Sequence, residues 1–267
     1  MTTVIGPTTI GRFERFDQVG STNDVVRDWL AAGEPEICIA IADAQTAGRG
    51  RAGRSWTAPP GAALLTSIGF RPTWLAPDQT WRLAAIVSLA MADAAEASVG
   101  LMPGAIRLKW PNDLVAVIDG SDIRKLGGIL GETEGLGGPD PRAVVGIGVN
   151  ADWSPDDFPP ELRSAMTSLR EMAGAAVDRE SVLSAFVQRL ETAVAELRAG
   201  QFDAAGWASR QVTTGRDVTL SWPDGSTHTR RGLGVDEVSG ALIVSDDDRG
   251  RRLVVTGEIV HVRLAEV

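Results

Sequence analysis

The sequence has few of the residues that form disulfides and metal clusters, and it lacks a long apolar run. Its 267 residues include one cysteine, Cys38, and two histidines, His228 and His261, which lie far apart. An internal disulfide is therefore excluded, a His/Cys metal site has almost no support, and Cys38 is expected to be a small core residue. No apolar stretch reaches the roughly 18 residues of a membrane helix, and no basic-then-apolar leader follows Met1. These absences predict a cytoplasmic protein with no membrane partner.

The chain is acidic, with a formal net charge of -9 at pH 7 and a sequence pI of about 4.8. This balance argues against DNA or RNA as the main partner. Hydrophobic content of 43% and charged content of 23% are typical of a globular protein. The length is sufficient for one large domain, or for a domain of about 200 residues with a small companion.

Lysine and asparagine are nearly absent. The chain has 24 arginines but only two lysines, Lys109 and Lys125, and only three asparagines, Asn23, Asn112 and Asn150. Lysine is ordinarily a common residue, so the remaining ones are candidates for positions where an ammonium group cannot be exchanged for a guanidinium. Both lysines and Asn112 fall within one 17-residue window. This window is therefore a candidate functional segment, although a chance distribution is the alternative.

Residues 48–56 contain three glycines, three arginines and Trp56. This composition predicts neither a helix nor a strand, and a loop with so little apolar surface is expected to be mobile without a ligand. The arginine side chains suit carboxylate and phosphate oxygens, and Trp56 offers a face on which a nucleobase could stack. A solvated linker or an RNA-binding tail is the alternative. The apolar runs at 37–42 and 62–70 indicate instead an insertion within a folded domain.

Polar residues stand at the ends of several predicted elements. Residues 20–24, Gly-Ser-Thr-Asn-Asp, precede a helix, where Ser21 or Thr22 could act as a simple N-cap or could present donors to a polar ligand. Gln45 follows a strand and supplies both an amide donor and an acceptor beside residues 48–56. Asn112 and Asp113 follow Pro111 between two apolar runs, and an Asx turn is the alternative to a binding role.

Two further blocks lie downstream. Residues 125–132 read Lys-Leu-Gly-Gly-Ile-Leu-Gly-Glu, and the paired glycines remove side chains where a ligand or a neighbouring backbone must come close. Residues 143–150 form an apolar run that ends in Asn150. The Gly-x-Gly inside this run is a weak signal, because no helix with a third glycine follows as a dinucleotide fold requires.

Taken in order, these blocks resemble those of the biotin protein ligases, which join biotin to a lysine of carboxylase carrier domains. Only about 20 residues precede the first block, so the resemblance is to the form without an N-terminal DNA-binding domain. It implies an α+β fold in which residues 1–212 form a class II synthetase-like catalytic domain, with a mixed β-sheet flanked by helices. Short β-runs separated by turns from about residue 213 agree with a small C-terminal SH3-like β-barrel at 213–267.

The resemblance implies a ligase that forms a carbon–nitrogen bond. It would activate biotin with ATP as biotinyl-5'-AMP, release pyrophosphate, and transfer biotin to a lysine of the biotin carboxyl carrier domain of an acyl-CoA or pyruvate carboxylase. Mg²⁺ would enter with the nucleotide and Asp113 would assist it, without a dedicated protein metal site. A lipoate-type protein ligase is the alternative, followed by a non-catalytic Arg-Gly RNA-binding or adaptor protein.

The residues that match the family blocks fall into two overlapping sets. The expected biotin-binding residues are Ser21, Thr22, Asn23, Gln45, Gly48, Arg49, Arg51, Lys125 and Gly128. The expected ATP- and adenylate-binding residues are Arg51, Arg54, Trp56, Lys109, Asn112, Asp113, Lys125 and Asn150. Catalysis is assigned to Lys125, Arg51 and Arg54, because both chemical steps gather negative charge around one phosphate.

Overall fold

The computed structural model describes residues 10–120, 122–246, 250–255 and 261–264. The strands of the larger sheet are β1 (Arg12–Val19), β2 (Cys38–Gln45), β3 (Ala63–Phe70), β4 (Ile106–Lys109), β5 (Asp113–Ile118), β6 (Asp122–Glu134) and β7 (Arg142–Asn150). The helices are α1 (Thr22–Ala31), α2 (Trp81–Ser98), α3 (Leu169–Ala173), α4 (Arg179–Arg198) and α5 (Ala204–Ser209). The strands of the smaller sheet are β8 (Asp217–Ser221), β9 (Thr227–Val235), β10 (Leu242–Asp246), β11 (Gly250–Val254) and β12 (His261–Leu264).

The larger sheet is mixed, as expected. Its strand order is β1-β2-β3-β7-β6-β5-β4, with β1 parallel to β2 and antiparallel pairing elsewhere. Strand β3 is buried along its whole length, which agrees with its largely apolar composition, interrupted by Thr66 and Ser67. The side chains of neighbouring residues point to opposite faces of a strand, so each strand contributes to both layers that cover the sheet.

The two faces of the sheet pack against different helices. On one face α2 and α4 cover a large apolar core that includes Ile68, Leu83 and Phe186. On the other face α1 packs through Val26, Trp29 and Leu30 against a smaller cluster that contains Cys38. The Cys38 side chain is fully buried, which confirms the expected core role. None of the helices in the described ranges has the length and apolar character that crossing a membrane requires.

The smaller sheet is antiparallel, with the strand order β11-β10-β9-β8-β12. This sheet is consistent with the expected SH3-like domain, although its described strands do not close into a barrel, since β11 and β12 lie at opposite edges. Its apolar face, which includes Val218 and Leu242, joins the main core. Trp110 Nε1 also donates a hydrogen bond to the Gly240 carbonyl, at 2.9 Å. The boundary at residue 213 stays a prediction.

Candidate active site

Residues 48–56 form a hairpin-shaped loop, called the hairpin below, whose two arms meet at one isolated β-bridge between Arg49 and Ser55. The Trp56 amide donates to the Gly48 carbonyl at 2.9 Å, and the Gly50 amide donates to the Arg54 carbonyl at 2.7 Å. A 3-10 turn, Arg51–Gly53, closes the hairpin. The expectation of neither an α-helix nor a strand holds, because the pairing is limited to this one bridge and the two hydrogen bonds beside it. Its mobility stays a prediction.

The first polar block lies at the N-terminus of α1, beside the end of β2. Ser21 occupies the N-cap position of α1, as the N-cap alternative predicts, but its side chain makes no capping hydrogen bond within the described part of the chain. The Thr22 amide and hydroxyl both donate to Gln45 Oε1, at 2.8 Å and 3.1 Å. The side-chain amide oxygen of Gln45 therefore fixes the N-terminus of α1.

Asn23 is buried against the sheet and is bonded on both sides of its carboxamide. Its Oδ1 accepts a hydrogen bond from Ser67 Oγ at 2.6 Å, and its Nδ2 donates to Glu132 Oε2 at 2.8 Å. A Cβ atom on Gly146 would lie 2.1 Å from Asn23 Oδ1, so only glycine leaves room for this side chain. The structure gives Asn23 a role in holding α1 on the sheet. Its contact with biotin stays a prediction.

Both lysines of the chain converge on one carboxylate. Lys125 Nζ lies 2.7 Å from Asp113 Oδ1, and Lys109 Nζ lies 3.7 Å from Asp113 Oδ2. Burial lowers the pKa of Lys109, and the attraction of Asp113 partly opposes that shift. Burial and then repulsion from Arg54 also lower the pKa of Arg51. Two lysines and two arginines thus surround one carboxylate, which makes the site strongly cationic.

Trp56 packs on glycines of β6 and β7. A Cβ on Gly148 would lie 2.7 Å from Trp56 Cε2, and a Cβ on Gly128 would lie 3.5 Å from Trp56 Cζ3. Lys125 Nζ lies 5.5 Å from the centre of the indole ring, which is within the range of a cation–π interaction. The indole therefore forms one wall of the same cavity that contains the Ser21 block. Its expected contact with adenine stays a prediction.

Two cavities adjoin at this site. The first, of about 110 Å³, is lined by the Ser21–Asn23 triplet, Gln45, Arg49, Arg51, Arg54, Trp56, Asn112, Lys125 and Gly128, with other residues. The second, of about 410 Å³, shares Arg51 and Asn112 and adds Lys109 and Asp113. Gly48 lies just behind the first cavity, where a Cβ would meet the Trp56 carbonyl oxygen at 2.4 Å. The fold thus brings together nearly all of the expected residues.

Asn150 is the exception among the expected site residues. It is fully buried and does not line either cavity in the described structure. Its Nδ2 donates to the Thr167 carbonyl at 3.0 Å, while its Oδ1 has no hydrogen-bond partner among the described residues. Asn150 is therefore packed within the protein, and its expected contact with adenine stays a prediction. A buried unpaired acceptor is costly unless something satisfies it.

Asn112 connects the two cavities. Its Nδ2 donates to the Ile129 carbonyl at 2.9 Å, and the Ile129 amide donates to the Asn112 carbonyl at 2.8 Å. These bonds fix the turn after Pro111 onto β6. The Asn112 side chain therefore stabilises the turn as well as lining both cavities.

Several residues that shape the site were not expected from the sequence. Ser67, in the middle of the mostly apolar strand β3, donates to Asn23. Glu132, at the end of the 125–132 block, accepts from Asn23. The Gly-x-Gly at 146–148 is a weak signal for nucleotide binding in the sequence, yet these glycines make room for Asn23 and Trp56. The sequence signal for this packing is two glycines, separated by one residue, in an otherwise apolar strand.

Arg49 is held by an ion pair and does not reach freely into the cavity. It donates from both terminal nitrogens to the Asp24 carboxylate, each at 2.7 Å. These hydrogen bonds raise the pKa of Arg49 and lower the pKa of Asp24. Arg49 lines the first cavity, but its direct contact with biotin stays a prediction.

No cluster of three or more His, Cys, Asp or Glu side chains in the described ranges has the arrangement of a metal site. Asp113, expected to assist Mg²⁺, is held between two ammonium groups. A carboxylate that is already compensated by two cations is a poor ligand for a further divalent cation. The helper role of Asp113 beside Mg²⁺ stays a prediction.

Comparisons with known proteins agree with this arrangement. Residues 16–150 match the Biotin/lipoate A/B protein ligase family. The chain is 34% identical over 250 residues to a biotin–[acetyl-CoA-carboxylase] ligase of Mycobacterium tuberculosis, covering 92% of this chain and 87% of that protein. It is 33% identical to the corresponding ligase of Paracoccus denitrificans, covering 86% and 92%. The fold resembles a biotin protein ligase from Aquifex aeolicus in complex with biotin and ATP, with a TM-score of 0.77, 24% identity, and coverage of 95% and 99%.

The mixed sheet and its cationic cavity define an enzyme of the ligase class. More particularly, the chain belongs to the Biotin/lipoate A/B protein ligase family. The resemblance drawn from the ordered sequence blocks is thereby confirmed.

Proposed function

We propose that the chain is an ATP-dependent biotin ligase that activates biotin as biotinyl-5'-AMP and transfers it to a lysine of a biotin carboxyl carrier domain. The named relatives, with identities of 34% and 33% over most of both chains, support this function. The acceptor would be the carrier domain of an acyl-CoA or pyruvate carboxylase, and the reaction would take place in the cytoplasm.

One observation carries the proposal: the first cavity is lined both by neutral polar groups and by cationic groups. Ser21, Thr22 and Gln45 offer hydroxyl and amide groups, while Arg51, Arg54 and Lys125 supply positive charge. Biotin has a polar cyclic urea at one end and a carboxylate at the other, so the cavity contains matching chemistry for both.

In the first step, a biotin carboxylate oxygen attacks the α-phosphorus of ATP and the bond to pyrophosphate breaks. The attack brings two anionic groups together, and this repulsion is the main obstacle. Arg51, Arg54 and Lys125 supply positive charge where negative charge accumulates, in positions fixed before the reaction. Asp113 holds the Lys125 ammonium by an ion pair of 2.7 Å, which fixes its direction.

In the second step, the neutral amine of the carrier lysine attacks the acyl carbon, the bond to AMP breaks, and the amine loses a proton. Water could attack the same carbon, so the intermediate must be shielded. Trp56 and the hairpin cover the cavity that contains Lys125. Their role is to exclude water until the carrier arrives.

Mg²⁺ enters this proposal through the nucleotide. Its contribution would be to neutralise the phosphates and the departing pyrophosphate. The ion pairs of Asp113 with Lys109 and Lys125 argue against an additional protein ligand there. We therefore assign the metal to the phosphates of ATP alone.

Lipoate ligation uses the same activation chemistry and is encompassed by the same family. The lipoate ring carries sulfur atoms and no urea, so it would form fewer hydrogen bonds with the polar side chains, such as Ser21 and Gln45, that line the first cavity. Isothermal titration of biotin and lipoate against the protein distinguishes the two. We expect heat from biotin only, and tighter binding of lipoate would reverse the assignment.

The decisive experiment is biotin-dependent exchange of pyrophosphate into ATP, measured in the wild type and in Lys125→Ala. Removal of this ammonium should cost about 2 to 4 kcal/mol of transition-state stabilisation, or roughly 30- to 1,000-fold in rate. Arg124→Ala is the matched control, because Arg124 is the neighbouring cation on β6 and pairs with Asp122 and Glu171 instead. Absence of exchange in the wild type contradicts the function, whereas full exchange in Lys125→Ala contradicts only the role of Lys125.

A further inference from the structure

Helix α1 holds the hairpin by a bidentate ion pair. Arg49 Nη1 donates to Asp24 Oδ2 and Arg49 Nη2 donates to Asp24 Oδ1, each at 2.7 Å. Arg49 Nη2 also lies 3.5 Å from Oε1 of Glu132 on β6. Two parallel hydrogen bonds to one carboxylate fix the orientation of the guanidinium as well as its distance. One side chain therefore ties the hairpin to both a helix and the sheet.

The two carboxylates are themselves held in place by other residues. Arg27, on the same helix as Asp24, contacts Asp24 and lies 3.8 Å from Glu132. Asn23 Nδ2 donates to Glu132 Oε2 at 2.8 Å. The Asp24 and Glu132 side chains are 35% and 31% exposed, so solvent screens their interactions only in part. Arg27 and Asn23 therefore hold the Asp24 and Glu132 carboxylates in position to bind the Arg49 guanidinium.

Arg49 is well placed to control the rest of the hairpin. Arg49 is bridged to Ser55 across the hairpin, and ladder hydrogen bonds on either side join the two arms. The same hairpin carries Arg51, Arg54 and Trp56 to the cavity wall. Because its glycines contribute no side-chain packing surface, an anchor at Arg49 restrains the whole hairpin.

We propose that Asp24 is a positioning residue of the ligase, which acts through Arg49 to hold the hairpin over the site and so retain biotin and its adenylate. The inference rests on the proposed function for its ligands, but not for the contact itself. Asp24 touches neither reacting atom in this scheme. Through Arg49, Asp24 determines the positions of Arg51, Arg54 and Trp56 at the cavity wall.

The first test is trypsin cleavage after Arg51 and Arg54, without ligand, in Asp24→Asn. The matched control is Asp28→Asn, the same change one turn along α1 at an exposed side chain. We expect cleavage about three- to tenfold faster in Asp24→Asn than in Asp28→Asn, the range expected for a part-exposed bidentate ion pair. Asp24→Glu, which keeps the carboxylate, should restore much of the protection. Equal cleavage in the two asparagine variants would overturn the proposal.

The second test follows the release of labelled biotinyl-AMP from the enzyme. Release should be faster in Asp24→Asn by a similar factor, and in Arg49→Met by at least that factor, because the expected contact of Arg49 with biotin would also be lost. In the double variant Asp24→Asn/Arg49→Met, the two effects should not add, since the first acts through the second. Additive effects would overturn the proposal. If the wild type forms no biotinyl-AMP, the proposed function fails, while the trypsin comparison still decides whether Asp24 holds the hairpin.

Discussion

Lys125 Nζ lies 2.7 Å from Asp113 Oδ1, and the second lysine of the chain, Lys109, approaches the other oxygen of the same carboxylate at 3.7 Å. Arginine replaces lysine almost everywhere else in the chain. The two lysines that are present are the two cations that share the Asp113 carboxylate. An ammonium group is compact enough for this arrangement, whereas two planar guanidinium groups would need more room.

The pKa of Lys109 should reflect the opposing effects of burial and of the Asp113 charge. Its pKa should lie below the ordinary value for lysine, because burial disfavours the ammonium form. Above this lowered pKa the folded state binds fewer protons than the unfolded state, so stability should rise with pH until the unfolded lysine also titrates. NMR of protein labelled at lysine Cε gives one signal for each of the two lysines.

Asp113→Asn should lower the pKa of Lys109 further, because the opposing attraction is removed and repulsion from Lys125 remains. Asp122→Asn is the control, since Asp122 pairs with Arg124 rather than with a lysine. A Lys109 signal that titrates at the ordinary pKa in the wild type would contradict the buried, coupled arrangement.

Gly148→Ala should disturb the site through Trp56. The new Cβ would lie 2.7 Å from Trp56 Cε2, so the indole must move. We expect a loss of about 1 to 3 kcal/mol in the free energy of unfolding, as for other overpacked sites, and weaker biotin binding. Urea unfolding and calorimetric titration of biotin measure the two effects. Gly131→Ala is the control, because a Cβ there meets nothing within 4 Å among the described residues; equal effects in the two variants would refute the packing argument.

Asn150→Ala should separate a structural role from a nucleotide-binding role. Loss of the hydrogen bond to the Thr167 carbonyl should cost about 1 to 3 kcal/mol of stability, because a buried acceptor loses its partner. If the unpaired Oδ1 accepts a hydrogen bond from adenine, the affinity for ATP should also fall at temperatures where the variant is folded. Unfolding curves and ATP titration test the two roles, and unchanged ATP affinity would contradict the adenine contact.

Cys38 should be chemically inert in the folded protein. Burial raises the pKa of its thiol to about 11, so only about one molecule in a thousand carries the reactive thiolate at pH 8. A thiol-specific chromogenic disulfide should label the native protein slowly and the denatured protein quickly. Equal rates in the two states would show that Cys38 is accessible.

Residue chemistry made much of the site predictable. Lys125, Asn112 and the hairpin arginines were found from their rarity or density in the sequence, and all of them line the adjoining cavities. Asn150 was chosen on the same grounds, yet it is buried beside Thr167. Rarity shows that a residue type is needed at a position, but it does not show which neighbour uses it.

The sequence by itself determined the α+β character of the chain, the cationic segment at 48–56 and the polar groups at strand ends. These properties depend on local composition and periodicity, which are written in consecutive residues. Tertiary structure alone decided that Asp24 binds Arg49, that glycine at 148 makes room for Trp56, and that the C-terminal sheet stays open. Those outcomes depend on strand register and on which face each side chain occupies, because only packing brings atoms distant along the chain within bonding distance.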